Sequence, residues 1–330
     1  MKPRCLFVMD AEFFPQAFGP DELSRLGKIV DLAGPAVNGA TLRSGNYQDI
    51  ELIIGSWGMP QMNGALLARL PRLKVLFYAA GTIKSITTDA SWARGIRVTN
   101  AALENAKPTA EFTLAEIILS LKRTWERIFL LREKQKYQQR NPLVQGAYGS
   151  TVGLLALGKV GKQVAQRLAS LDVRVIAYDP VVPAAEATEL GVRLCSLEEV
   201  FAQSDVVSCH MPSTVQTRHL LGRELFSSMK RGATFINTAR GNIVKESELI
   251  DVLRDRPDIF AVLDVTDPEP PPADSPLFKL PNVVLTPHIA GSIGLECRRM
   301  GRMMVDEVER YLTNRPLLGE LRPEQLEILA

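Results

Sequence analysis

The sequence predicts an α/β protein: a doubly wound parallel sheet plus a second, smaller α/β unit. Three observations carry that expectation. Short runs of apolar and β-branched residues recur along the chain, each long enough for one buried strand and too short for a core helix. Helix-period stretches separate them, which is the alternation of a parallel sheet with its crossover helices. The chain has 330 residues, about twice an ordinary single domain, so two domains are expected.

In order, Met1–Asp10 is a short apolar run lacking the charged, then apolar, then small pattern of an export signal. It reads as a first strand centred on Leu6–Met9. Leu52–Gly55, Val75–Tyr78 and the neighbours of Val98 read as strands, with helical patterns such as Gly64–Leu70 between them. The strongest helical signal comes next. Leu114, Ile117, Ile118, Leu121, Trp125 and Ile128 keep the three-then-four spacing of a helix buried on one face. Pro108 suits the first turn of that helix, where its missing N–H costs nothing.

From Thr151 the alternation becomes more regular. Strands are expected at Val152–Leu155, Val173–Tyr178, Val206–Cys209, Ala233–Thr238, Phe260–Val265 and Val283–Thr286. Helices are expected at Val160–Ser170 and Glu246–Leu253, and an amphipathic one at about Leu295–Tyr311. Leu318–Ala330 is too short for a domain and is expected to pack back on the first unit. Pro268–Pro272 reads as a proline-rich turn.

Composition excludes several functions. The apolar share of 46% and charged share of 23% are ordinary for a globular protein. Net charge is only +2 with no basic block, so no nucleic-acid partner is expected. No apolar run approaches the ~18 residues of a spanning helix. Cys5, Cys195, Cys209 and Cys297 are scattered with no CxxC pair, which argues against a disulfide framework or zinc site and for a reducing cytoplasm. His210 beside Cys209 has no third ligand in view, so no metal is expected.

Residues 151–161 read TVGLLALGKVG: a strand, a glycine-bearing turn, then a helix. This is the context of a dinucleotide fingerprint, with glycines expected at positions 156, 158 and 161. The chain has Ala156, Gly158 and Gly161. Gly158 lets the backbone approach a pyrophosphate, Gly161 allows close helix–strand packing, and the helix N-terminus is an anion site. The next strand ends in Asp179, placed for the ribose hydroxyls. A carboxylate there repels the phosphate of NADP, and no arginine follows to receive it, so NAD is the expected cofactor.

Three later strands end near charged side chains: Arg240 after ATFINTA, Glu269 after FAVLDVTDP and His288 after VVLTP. In a parallel sheet the carboxyl ends of the strands form one crevice, so a fixed cation, a carboxylate and an imidazole should meet there. That set suits a carboxylate-bearing substrate whose oxygen gains or loses a proton. Only His210, His219 and His288 exist as imidazoles. His219 lies in a helix-like stretch (TRHLL) and reads as structural, leaving His288 as the acid/base candidate.

With these residues in view, the chain resembles the NAD-dependent D-isomer-specific 2-hydroxyacid dehydrogenases, most strongly over 151–292. The glycine motif with Asp179, then NTARGNIV (Asn237–Val244), then LDV…EP with TPHIAGS (Leu263–Pro270, Thr286–Ser292) stand in order. The resemblance implies a Rossmann-type NAD-binding domain at 105–293. It also implies a discontinuous flavodoxin-like substrate domain, residues 1–104 with 294–330. Arg240 would hold the substrate carboxylate, Glu269 would partner His288, and His288 would be the acid/base. Lys159 and Val160 would join Gly158 and Gly161 at the cofactor. Thr238, Ala239 and Asp264 would sit near the nicotinamide, with His210, Met211, Pro212 and Thr217 along the cleft. Trp57, Ala80, Gly81 and Thr82 would face the substrate. The long helix after residue 108 would build a homodimer.

The departures bear on substrate. Ala156 replaces the first glycine, as in some relatives, formate dehydrogenases among them. The stretch AAGTIK (Ala79–Lys84) lacks the aspartate usual a few residues on, and Trp57, Lys84, Tyr137 and Tyr148 have no assured counterparts. Formate oxidation transfers no proton from an oxygen, and such relatives pair the histidine with an amide; an acid at 269 favours a keto acid. A phosphoglycerate dehydrogenase would call for more basic residues and often a regulatory domain, for which the chain ends too soon. Lys84 reads as solvated rather than as a ligand for a phosphate or second carboxylate. A glyoxylate/hydroxypyruvate reductase-like activity is the expectation, with bulkier or phosphorylated acids open. The rival is an NAD-sensing, corepressor-like binding protein on the same fold, which can keep all three side chains.

Overall fold

The computed structural model describes residues 1–137, 144 and 146–327. Along the chain the first strands are β1 (Arg4–Val8), β2 (Asp31–Leu32), β3 (Leu52–Gly55), β4 (Val75–Tyr78) and β5 (Arg97–Asn100). Next come β6 (Thr151–Leu155), β7 (Arg174–Tyr178), β8 (Val192–Leu194), β9 (Val206–Cys209) and β10 (Thr234–Asn237). The last are β11 (Phe260–Leu263), β12 (Val283–Leu285) and β13 (Glu320–Leu321). The chain divides into two compact units, one of Met1–Asn105 with the segment from Ser292 onwards, the other of Ala106–Gly291.

The first unit carries a six-stranded sheet in the order β13-β5-β4-β3-β1-β2. Its first five strands pair in parallel in the flavodoxin order. Strand β13 adds antiparallel to β5, with Leu321 opposite Val98, so the described part of the tail does return to this sheet. Strands β3 and β4 are buried at every position, which is why they read as unbroken apolar runs. The amphipathic helix Cys297–Leu312 covers one face, burying Met300, Met304, Val305 and Val308 against Phe7, Ile54 and Phe77.

The second unit is an all-parallel, seven-stranded sheet in the order β12-β11-β10-β9-β6-β7-β8. Strand order reverses between β6 and β9, and ligands in such sheets bind outside the carboxyl ends of the strands at that point. Its core has two faces, one around Phe201, Phe226 and Phe235, the other around Ile117, Val164 and Ile236.

Several expectations need correction. Pro108 is not in a first turn: the helix begins at Ala102, where Asn100 Oδ1 accepts the Ala102 N–H, and Pro108 lies inside it. Nor is there one long helix through Ile128. Helix Ala102–Leu121 ends, and Thr124–Lys134 starts after Arg123, whose backbone is left-handed at φ 49°. The buried Arg123 guanidinium donates to Gly232 O and Asp258 O and pairs with Glu126, and that anchorage turns the chain. His219 is in a turn, not a helix, with φ 53° and an exposed side chain. Strands β2, β8 and β13 are two or three residues long and each is broken by a charged residue, so no apolar run reveals them. Residues 328–330 of the expected tail lie outside the described residues.

Candidate active site

Six of the seven strands of the second unit deliver expected residues to the same edge of the sheet. Strand β6 ends at Ala156–Gly158, β7 at Asp179, β9 at His210, β10 at Thr238–Arg240, β11 at Asp264 and β12 at Thr286–His288. All the strands are parallel, so all these residues stand at carboxyl ends.

The turn after β6 is tight in spite of its alanine. Ala156 takes φ 74°, a left-handed backbone that costs a non-glycine residue about 1–2 kcal/mol, and its N–H donates to Tyr178 O at 2.8 Å. Gly161 is needed for packing: a Cβ there would stand 2.1 Å from Ala156 O. At Gly158 a Cβ would meet nothing within 4 Å, so the backbone faces open space. No side chain caps helix Lys159–Leu168, leaving its first N–H groups to an anion. Asp179 Oδ2 accepts from Leu157 N at 2.7 Å, and Oδ1 from Val181 N and Val182 N at 2.8 and 2.9 Å. An anion-ready helix end beside an approachable glycine and an acid at the next strand end fits a dinucleotide.

His210 is buried, and burial pushes its imidazole down to about 3, so it is neutral. Its Nε2 meets Ser208 Oγ at 3.0 Å while Nδ1 has no hydrogen-bond partner among the described residues. Thr217 Oγ1 donates to Pro212 O at 2.5 Å, closing the loop that follows Met211. Thr238 Oγ1 meets Thr113 Oγ1 at 3.0 Å. Among the described residues no group of three or more His, Cys, Asp or Glu could hold a metal.

Arg240 is set by its neighbours. Asn237 Oδ1 accepts from Ala239 N and Nδ2 donates to Arg240 O, both at 3.0 Å, bracing the turn from within. Gly241 allows the Thr266 backbone to come close, since a Cβ there would lie 1.9 Å from Thr266 O. The half-buried guanidinium donates to Ala239 O at 2.6 Å and has no ion-pair partner among the described residues. Burial pushes its pKa down, and the charge of Glu269 acts the other way. It remains a cation with unused donors.

His288 and Glu269 meet directly: Nδ1 lies 2.5 Å from Glu269 Oε1. An ionised carboxylate only accepts, so Nδ1 carries the proton and Nε2 is left for another partner. His288 holds φ 53°, with its N–H shared between Asp264 O and Thr286 O at 3.0 Å each. Asp264, only 2% exposed, holds the whole loop. Its Oδ1 accepts from Thr286 Oγ1 at 2.5 Å and Ile289 N at 2.8 Å, and its Oδ2 from Ala290 N at 3.0 Å.

Residues 115–290 match the family model described as the D-isomer specific 2-hydroxyacid dehydrogenase, NAD binding domain. The chain belongs to the D-isomer-specific 2-hydroxyacid dehydrogenase family. It is 34% identical over 267 residues to a D-3-phosphoglycerate dehydrogenase of Mycobacterium bovis, covering 81% of this chain and 49% of that protein. The chain thus spans about half the length of the phosphoglycerate dehydrogenases heading its curated relatives. A glyoxylate reductase of Korarchaeum cryptofilum is 34% identical, with 72% of this chain and 73% of that one covered. The crystal structure of apo Rhodotorula graminis D-mandelate dehydrogenase superposes with a TM-score of 0.82 at 25% identity, covering 98% of each chain.

Family membership accounts for the order of the strand-end residues, and the geometry adds residues that motif reading passed over. Asn237 and Gly241 sit inside the matched NTARG stretch, yet only a turn drawn in three dimensions reveals a brace and a close approach. Asp264, read from the sequence as a neighbour of the nicotinamide, also holds the His288 loop. The expected substrate-side residues belong to the first unit. Trp57 packs against Phe13 with ring centroids 4.8 Å apart and planes tilted by 56°, Ala80 is buried, Gly81 O accepts from Asn100 Nδ2 at 2.5 Å, and Thr82 is half-buried.

Proposed function

We propose that this chain is an NAD-dependent oxidoreductase interconverting a 2-keto acid and a D-2-hydroxy acid. One observation carries it: a histidine held by a carboxylate at one ring nitrogen stands at the same sheet edge as an arginine with no ion-pair partner among the described residues. Arg240 grips the substrate carboxylate with its planar fork, which orients the keto group. As the imidazolium His288 donates its Nε2 proton to the carbonyl oxygen in reduction, and as the neutral Nδ1–H tautomer it takes that proton back on Nε2 in oxidation. Glu269 keeps the imidazole in that tautomer and stabilises the imidazolium. Bound NADH supplies the hydride. Gly158, Lys159, Val160 and Gly161 hold its pyrophosphate, Asp179 its ribose, and Thr238, Ala239 and Asp264 border its nicotinamide. His210, Met211, Pro212 and Thr217 line the rest of its site.

Residues 105–293 act as the NAD-binding domain, and 1–104 with 294–330 as the substrate domain. Trp57, Ala80, Gly81 and Thr82 contribute to substrate choice. The glyoxylate reductase relative supports a small keto acid, and the phosphoglycerate dehydrogenase relatives keep a phosphorylated one in the panel. A homodimer is supported by helix Thr124–Lys134, which buries none of its residues although it carries Ile128, Phe129, Leu130 and Leu131. Among the described residues no helix is long and apolar enough to cross a membrane, and the four cysteines are free. The free thiols agree with the cytoplasm.

The test is NADH oxidation over a panel of 2-keto acids, run beside His288→Ala. Turnover of at least one acid is expected, falling about two to four orders of magnitude in the variant with NADH binding retained. Tight NADH binding without turnover of any acid would transfer the reading to an NAD-sensing, corepressor-like protein.

A further inference from the structure

Resting on the acid/base reading of His288, we propose that His219 is a positioning residue: it ties the segment after Arg240 to the strap that carries Glu269. The hydride reaction has no use for this second exposed imidazole, yet three chain segments converge on it. The His219 N–H donates to Asn242 O at 2.8 Å. Beyond it Leu221 N donates to Ile243 O at 3.1 Å and Lys245 N to Leu221 O at 2.9 Å. Residues 219–221 therefore run bonded along the segment that follows Arg240. From that base the His219 side chain crosses to Asp267, with Nε2 3.2 Å from Oδ2.

Asp267 stands two residues before Glu269, and the strap is held at that point from both sides. The Asp267 N–H donates to Glu246 Oε2 at 2.9 Å, and Thr266 Oγ1 donates to Pro268 O at 2.8 Å. Glu246 is half-buried, and burial raises its pKa while the Asp267 N–H bond opposes. Two carboxylates thus crowd the base of the strap, and His219 pairs with one of them, Asp267. His219 also holds a left-handed backbone at φ 53°, an arrangement kept only where the surroundings demand it. The side chains of His219 and Asp267 are 45% and 37% exposed, and an exposed pair of this kind adds little to global stability. What it can decide is where Glu269 sits against His288 Nδ1, a contact that tolerates little displacement. The groups facing His288 itself are Glu269 at its ring and Asp264 beneath its loop, with Arg240 near Glu269.

The experiment compares the full chain with His219→Ala, His219→Gln, Glu269→Gln and the His219→Ala/Glu269→Gln double variant. His219→Ala should lower kcat about tenfold with KM for NADH unchanged. His219→Gln, whose amide can still donate to Asp267, should recover most of the loss. In the Glu269→Gln background His219→Ala should cost nothing further, because the residue through which it acts is gone. A full tenfold loss in that background, or an unchanged kcat in His219→Ala, overturns the proposal. A second readout needs no turnover: the NMR chemical shifts of the His288 ring, assignable by His288→Ala because the chain has only three histidines. They report the Glu269 contact at Nδ1 and should move in His219→Ala and stay put in His219→Gln. Unmoved ring signals in His219→Ala overturn the positioning role even for a chain that reduces no keto acid, whereas absent turnover with moved signals counts against the catalytic reading alone.

Discussion

Replacing Gly161 by alanine places a methyl group where the β6 turn already has backbone. The new Cβ would lie 2.1 Å from Ala156 O and 3.1 Å from its carbonyl carbon. Ordinary contact begins near 3.4 Å, so helix Lys159–Leu168 or the turn must yield by about 1.3 Å. A flexible side chain could swing aside, but a carbonyl oxygen in a left-handed turn cannot. Overpacking costs about 1–3 kcal/mol, and a backbone obstacle puts this case at the upper end. For a unit of this size that is a fall in Tm of about 5–10 °C, read by circular dichroism. Displacing the helix N-terminus should also weaken NADH binding about tenfold, the worth of one charge-assisted hydrogen bond, read by fluorescence titration. Gly158→Ala is the counterpart: its methyl meets nothing within 4 Å, so stability should stay within about 1 kcal/mol while NADH binding suffers. A Gly161→Ala protein as stable as the parent would refute the close-packing argument. Equal stability losses at both glycines would refute the distinction between them.

Arg240→Lys should lower kcat/KM for the keto acid about ten- to hundredfold, mostly through KM, because a point charge cannot replace a two-pronged grip; unchanged steady-state kinetics would remove the clamp. Asp179→Asn should narrow the preference for NADH over NADPH; its single amide oxygen can still accept from Val181 N and Val182 N, while the bond from Leu157 N to the second carboxylate oxygen is lost. Identical NADPH discrimination in parent and variant would contradict the ribose contact. Glu22 predicts an acid-sensitive first unit. Burial works to raise its pKa, but hydrogen bonds from Arg302, the Gly19 N–H and Arg298 outweigh it, taking the carboxyl from its ordinary 4.5 to about 2. An unfolded carboxyl takes up its proton first, so this site stabilises the fold above pH 4.5 and loses that contribution as pH falls towards 2. Glu22→Gln should cost about 1–3 kcal/mol at neutral pH and flatten the stability curve over that window. Parallel denaturation curves for parent and variant across it would show that Glu22 has no such part.

The alternation of strands and helices was legible because parallel strands buried on both faces leave continuous apolar runs, and every such run of four or more residues was found. Strands β2, β8 and β13 escaped because they are short and each is broken by a charged residue, Asp31, Arg193 and Glu320, whereas the equally short β12 is wholly apolar. The long-helix expectation failed because periodicity records an apolar face and not backbone continuity: Trp125 and Phe129 still pack partly buried against the cluster of Ile117 and Leu121, yet the backbone turns left-handed at Arg123. Which charged residues cluster was legible in part: strand-end position brings Arg240 and His288 to one edge of the sheet, while Glu269 reaches His288 from the strap beyond β11.

By itself, then, the sequence determined the fold class, the strand ends and the chemical groups there, because these follow from local patterns of burial and from a few side chains that carry chemistry. Only the tertiary structure decided how those groups are held. Asp264 under the His288 loop and His219 reaching Asp267 are relations between segments 25 and 48 residues apart. No local pattern encodes such a bond; it exists only once the sheet has brought the segments together.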